Sequence, residues 1–269
     1  MTEQQPRQPR KIAIIGKAPS SSLLAPYADP AWEVWILNTL GSAKEVPRWD
    51  RQFELHDLCL VKNPGFGNYY DFLKEESGKR PVYLRDDPPK EFKGGIRYPY
   101  GEIKRVFETF SGRDYFTNTV SWMVALAVYE HMLGRMYHEP EGLDPVGVLE
   151  IGMWGVDMAQ HNTAYSMTNA GPFASEYARQ RPSVEYWIGV AEGKGIKFTI
   201  PPQSDILKTA CLYGFHTNET FQKLQARDKE LEQRIAHAHQ REQQAHDEAL
   251  YLAGAREGAK YHMQMQTGL

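Results

Sequence analysis

The residues of this chain that could do chemistry are short polar clusters, each placed directly after an apolar run. Gly16, Ala18, Pro19 and Ser20 to Ser22 follow Ile12 to Ile15; Asn38 and Thr39 follow Glu33 to Leu37. His56 and Asp57 follow Gln52 to Leu55, and Gly155 with Asp157 follows Val148 to Trp154. Hydroxyls and backbone N–H groups at a strand end suit an anionic ligand. A Gly at a strand end lets a ligand reach backbone donors that a side chain would shield, and it equally suits a tight turn. Each cluster taken alone has a structural reading: Asn38 caps a turn, His56 is a satisfied core histidine, Asp157 caps a following helix. A fifth cluster, Thr117, Asn118 and Thr119, opens an apolar helix. Its N-terminus either offers N–H groups and a positive dipole end to an anion or is simply capped.

The apolar runs are the elements that must position these clusters. Ile12 to Ile15, Glu33 to Leu37, Gln52 to Leu55, Val82 to Leu84, Val148 to Trp154 and Lys197 to Ile200 suit strands buried on both faces of a parallel sheet. Helical stretches alternate with them: Tyr69 to Glu76, Glu102 to Phe110, Thr119 to Leu133 and Val184 to Gly193. The expected fold is α/β, an open, mostly parallel sheet with helices on both faces, and such sheets bind ligands beyond the carboxyl ends of their strands. The clusters should therefore converge. The stretch from His161 to Arg181, polar, aromatic and rich in small residues, follows Asp157 directly and reads as a lid over the crevice or as a surface excursion.

Composition narrows the partners. With 31 Lys and Arg against 34 Asp and Glu, the formal charge is −3, which gives no global attraction to nucleic acid. Cys59 and Cys211 lie far apart and match no zinc spacing, so they read as buried thiols of a reducing compartment with no disulfide between them. The first ten residues carry no apolar signal region, and no run approaches the ~18 apolar residues of a membrane span; a cytoplasmic protein is expected.

The expected organisation is a flexible tail over 1–10, an α/β ligand-binding domain over 11–214 with its lid at 158–182, a long amphipathic helix over 215–253, and a flexible tail over 254–269. Positions 221, 224, 228, 231, 235, 238, 242, 245, 249 and 252 alternate steps of three and four, and all but Asp228 and Glu242 are apolar. That is the seam of a coiled coil of about four heptads, which would pair with another copy or lie back on the domain.

In this order, "IIGKAPSS", "VWILNT", "YFTNTVSWMVALAV", "LEIGMWGVDM" and "GKGIKFTIPPQSDIL" resemble the bacterial sialyltransferases of the Campylobacter lipooligosaccharide type and the related MptE-like Rossmann proteins. The chain is also similar to a widespread type of phage-encoded protein, which implies the cytoplasm of an infected host. The resemblance implies a Rossmann-like fold and transfer of a sugar from a nucleotide-sugar donor to an acceptor hydroxyl. Position by position it implies that Gly16, Ala18, Pro19, Ser20, Asn38, Thr117, Asn118, Thr119, Gly155 and Asp157 line a nucleotide pocket. In the family a lid histidine is the general base and tyrosines assist the departing phosphate. Here the lid offers Tyr165 and Tyr177, and the matching stretch "ASEYARQRPS" holds no histidine, so His161 or Glu176 would take the proton. Arg179 and Arg181 would bind a diphosphate or an acceptor anion.

The MptE-like branch implies a different reaction, diphosphate transfer with Mg²⁺ held by Asp57 and Asp157. A non-catalytic protein that sequesters a nucleotide or engages a partner, or a structural role through the long helix, are the readings from other classes.

Overall fold

The computed structural model describes residues 7–42, 46–111, 115–158, 176–208, 212 and 219–267. The chain divides into two compact units, Met1–Lys208 and Thr209–Leu269.

Seven strands build the sheet of the first unit: β1 (Arg10–Ile15), β2 (Trp32–Leu37), β3 (Arg51–Glu54), β4 (Val82–Leu84), β5 (Gly95–Arg97), β6 (Val148–Trp154) and β7 (Lys197–Thr199). Their order is β5-β4-β3-β2-β1-β6-β7, and every described pairing is parallel. β1 is an interior strand, paired on both sides by β2 and β6. Ile12, Ala13, Ile14 and Ile15 are fully buried, registered against Glu33 to Ile36 on one side and Ile151 to Trp154 on the other. Continuous apolar character is what a strand covered on both faces requires. Among the described residues the α-helices of this unit are α1 (Leu58–Val61), α2 (Tyr69–Ser77), α3 (Tyr100–Ser111), α4 (Thr119–Leu133) and α5 (Glu176–Glu192), and the Rossmann-like sheet carries helices on both faces. Strand order runs outward from β1 to β5, then returns to β6 beside β1, so crossovers of one hand lie on opposite faces.

Several elements differ from expectation, and the short helix α1 is one that the sequence did not suggest. β5 was missed, since three residues within a Gly- and Pro-rich stretch show no period. α5 begins at Glu176, before Pro182 rather than after it, so 176–182 of the expected lid is helical. Proline is commonest in the first turn of a helix, which is why the sequence points to a start beyond it. Cys59, expected to be buried, is exposed: of the four residues of α1 only Val61 is buried.

α4 packs on β1, β3 and β6 and against α5. Its residues are buried nearly all round, including Glu130. At the amino edge of the sheet Glu130 joins an ion network. Arg51 donates to its Oε1 at 2.6 Å and Arg10 to its Oε2 at 2.8 Å, and the Tyr137 N–H donates to Oε1 at 2.8 Å. Glu33 accepts from Arg10 at 2.5 Å and from Arg51 Nε. Burial alone would raise the Glu33 carboxyl, but the Arg51 and Arg10 guanidiniums outweigh it and hold the group down at about 2. A depressed carboxylate contributes stability above its unfolded pKa and loses it as pH falls toward the folded one. The stability difference between wild type and Glu33→Gln should therefore be full at pH 5 and shrink by about 3 kcal/mol on approaching pH 2. Urea melts of both proteins across that range check this; a difference independent of pH would contradict it.

At its other end α4 is fixed by aromatics. Phe116 stacks on Trp122 and, with centroids 4.6 Å apart, on Trp187 of α5. Trp187 Nε1 and Ser183 Oγ both donate to the Tyr115 carbonyl at 2.8 Å. The segment entering α4 is thereby held from both sides.

In the second unit α6 (Glu219–Thr267) runs for 49 residues. It passes Gly254, where a flexible tail was expected, because Ala, Arg, Glu, Lys, Met and Gln in the following residues are good helix formers that carry it over two glycines. Leu224, Leu231, Ile235 and Leu252 of the expected seam are exposed. Among the described residues no helix is long and apolar enough to cross a membrane.

Candidate functional site

Parallel strands deliver their following residues to one edge, and there the clusters after β1, β2, β3 and β6 meet the N-terminus of α4. Together they line a cavity of about 850 Å³. Its walls are Gly16 to Ser20, Leu37, Asn38, His56, Thr117 to Val120, Gly155 to Met158 and Gln180. It lies beside β1, where the strand order reverses, the usual ligand position in an open α/β sheet.

The floor is made of two loops fused through their backbones. Gly16 N–H donates to the Trp154 carbonyl at 2.7 Å and Ala18 N–H to Gly155 at 2.9 Å. A Cβ on Gly16 would collide with the Gly155 carbonyl. Conversely, a Cβ on Gly155 would meet the Gly16 carbonyl at 2.5 Å, and Gly155 has φ +67°. The close approach that Gly16 permits is thus that of a second loop. Ser21, fully buried, donates nothing to the cavity; its Oγ accepts the Gly155 N–H at 2.8 Å. Ser204, after β7, donates to the Val156 carbonyl at 2.8 Å and braces the same loop. Ser21 stands in the expected cluster after β1, but its bracing role could not be read from the sequence, nor could Ser204 be picked, since each acts on a residue at the end of another strand.

Over this floor stand groups with unmet hydrogen-bonding capacity. Asn38 takes φ +50°, a left-handed conformation that Asn tolerates, and its Oδ1 is buried without a partner. Asp157 accepts from Ser20 Oγ at 2.5 Å through Oδ2, while its buried Oδ1 has no partner. Two buried acceptors in one cavity call for hydrogen-bond donors on a ligand. Met158, also on the wall, has φ +47°.

The cationic side of the cavity is Lys17, which the sequence reading passed over. It is exposed, and its Nζ donates to Thr39 Oγ1 at 2.9 Å. A lone loop lysine gives no periodic signal; its only clue was its place inside the Gly16 cluster. At the α4 N-terminus Asn118 is the N-cap, its Oδ1 accepting from Ser121 N–H at 2.9 Å. Asn118 Nδ2 donates to the Gln180 carbonyl at 3.1 Å, tying α5 to the cap. With the cap reaching Ser121, the N–H groups of Thr119 and Val120 have no intrahelical acceptor and lie in the cavity wall.

The remaining candidates fall elsewhere. His161 and Tyr165 lie outside the described residues, as do the side chains of Glu176, Tyr177 and Arg179. Arg181 donates to Glu185 at 2.7 Å and to the carbonyls of Asp205 and Lys208 at 2.7 and 3.1 Å, so it staples α5 to the turn after β7. Asp57 is not in the wall: it caps α1, accepting the Cys59 N–H at 2.8 Å, and pairs with Arg85 at 3.1 Å. The Cys59 and Arg85 donors hold its carboxyl below the usual range. Among the described residues no group of three His, Cys, Asp or Glu side chains could hold a metal ion.

Fold and site define an α/β protein with a ligand cavity at a topological switch point. No protein-family model matches the chain, and no curated protein matches it. Among solved structures it is similar to a monofunctional α-2,3-sialyltransferase, Cst-I from Campylobacter jejuni, at 13% identity over 86% of this chain and 98% of the other, with a TM-score of 0.40. The sialyltransferase CstII from the same organism, in complex with the substrate analogue CMP-3FNeuAc, is 14% identical over 71% and 79% of the two chains, with a TM-score of 0.39. At this level of similarity none of their residues is transferred to this chain.

Proposed function

We propose that the cavity binds a nucleotide and that the protein transfers a sugar from a nucleotide-sugar donor to an acceptor hydroxyl. The observation that carries nucleotide binding is the pairing, in one cavity, of two unpartnered buried acceptors, Asn38 Oδ1 and Asp157 Oδ1, with Lys17 and the first turn of α4. The acceptors suit the hydroxyl and amino groups of a nucleoside, and the cation and helix N-terminus suit its phosphate. A volume of about 850 Å³ is in the range of small-molecule and cofactor sites. Sugar transfer is supported by the order of the strand-end motifs, which resembles that of sialyltransferases. Diphosphate transfer through Mg²⁺ finds less support, because Asp57 is committed to a cap and to Arg85.

A thermal-shift panel of nucleoside monophosphates, diphosphates and nucleotide sugars, with and without Mg²⁺, tests the reading. One nucleotide class should raise Tm, by the equivalent of about 2.7 kcal/mol at a hundredfold excess over Kd. Asn38→Gly keeps the left-handed turn and removes the amide, so it should weaken that ligand about tenfold, the value of one buried hydrogen bond. A panel flat at millimolar concentration would overturn nucleotide binding. A shift with no release of nucleotide from any sugar donor over hours would leave a binding protein and overturn transfer.

A further inference from the structure

His56 lines the cavity, yet neither the floor nor the phosphate side accounts for it. Its surroundings are built. Glu54, the last residue of β3, has a side chain only 2% exposed, while that of His56 is 55% exposed. Residues i and i+2 of an extended chain fall on one side, so the carboxylate and imidazole meet. Glu54 Oε1 accepts the His56 main-chain N–H at 3.0 Å and lies 2.6 Å from His56 Nδ1. Glu54 Oε2 accepts from the buried Tyr69 hydroxyl at 3.0 Å, and Gln52 Nε2 donates to that hydroxyl at 3.1 Å. Gln52 Nε2 also donates to the Asn38 carbonyl, joining the array to the turn after β2. With both carboxylate oxygens accepting, Nδ1 is the nitrogen that carries the proton, and the basic lone pair of the neutral ring is on Nε2. A buried carboxylate that fixes the tautomer and ring orientation of a half-exposed histidine in a cavity is the arrangement of a general base and its orienting partner.

We propose that His56 is the general base of the reaction carried out in this cavity and that Glu54 is its positioning residue. This rests on the transferase reading above. The acceptor O–H proton passes to His56 Nε2, and the acceptor oxygen forms a bond to the anomeric carbon of the donor. The bond from that carbon to the phosphate oxygen breaks, its electron pair staying on the departing nucleotide, where Lys17 and the α4 N-terminus balance the added charge. The imidazolium, held by the Glu54 carboxylate, then returns its proton to solvent.

The test measures two quantities on each variant: the nucleotide thermal shift, and the rate of nucleotide release from the donor in the presence of acceptor. His56→Gly should keep the shift and lower kcat by about 10²- to 10⁴-fold. Added imidazole should restore part of that rate, which a loss of structure would not allow. His56→Asn is the second variant should the glycine loosen the loop. Glu54→Gln should lower kcat about 10²-fold with the nucleotide Kd unchanged, since it misorients the base without touching the ligand. Retention of kcat within threefold in His56→Gly, with the shift intact, would overturn the proposal and leave the transferase reading standing. Absence of nucleotide binding by wild type overturns both. Binding without turnover overturns the base and the transfer while leaving the nucleotide site.

Discussion

Glu130→Ala is expected to destabilise the protein by about 3–5 kcal/mol, the loss that follows when one partner of a buried ion pair is removed. Glu130 is fully buried in the middle of an otherwise apolar helix, and it faces Arg51, itself 1% exposed, and Arg10. Without it, Arg51 retains Glu33 and, through Nη1, the Tyr83 hydroxyl at 3.2 Å, but two buried guanidiniums, Arg51 and Arg10, would then share the single carboxylate of Glu33. Chemical denaturation should show the loss as a lower midpoint with an unchanged m-value. The double variant Glu130→Met, Arg51→Met should recover much of it, because removing both charges also removes their desolvation. A single-variant loss below about 1 kcal/mol would mean that the network merely breaks even.

Trp187→Ala is expected to cost a similar amount, about 3–5 kcal/mol, as large-to-small changes of buried aromatics do. Trp187 is fully buried between Phe107 and Phe116, with centroids 4.6 Å from each, and its N–H is used by the Tyr115 carbonyl. The effect should extend to the cavity, because Phe116 immediately precedes Thr117 to Thr119. If the cavity binds a nucleotide as proposed, its affinity should fall along with stability in Trp187→Ala. Trp187→Phe keeps a stacking ring and loses the hydrogen bond and part of the buried ring, so its cost should be smaller, about 1–2 kcal/mol, with affinity nearly unchanged. Urea melts and the same thermal-shift assay read both quantities; normal affinity in the alanine variant would detach the aromatic stack from the site.

What could be read in advance follows from which features are local. β4, β6 and α4 were placed to the residue, since apolar runs bounded by Pro or Gly, and a capped apolar helix between Asn118 and Gly134, announce themselves within a dozen positions. Most of the cavity wall was legible for a related reason: in a parallel sheet, polar residues after successive strands have nowhere else to gather. Lys17, Ser204 and the bracing role of Ser21 were not, because their value lies in partners supplied by other strands. The ion network escaped notice too, since Arg51, Glu33 and Glu130 come from three elements and each reads alone as an ordinary surface charge. The Glu54 and His56 pair left a signal, an acid and an imidazole two apart at a strand end, that spacing alone could have flagged.

The mutual contact of Gly16 and Gly155 bears on how this site could be redesigned. Each glycine occupies the space that a side chain on the other's loop would need, so the loops after β1 and β6 form one shape and not two modules. Grafting a new phosphate loop after β1, or a new specificity loop after β6, would fail when done singly, however well the incoming segment suited its ligand. Libraries aimed at altered ligand choice should therefore leave this glycine pair fixed and vary Asn38, Asp157 and Lys17, or exchange both loops as a matched set.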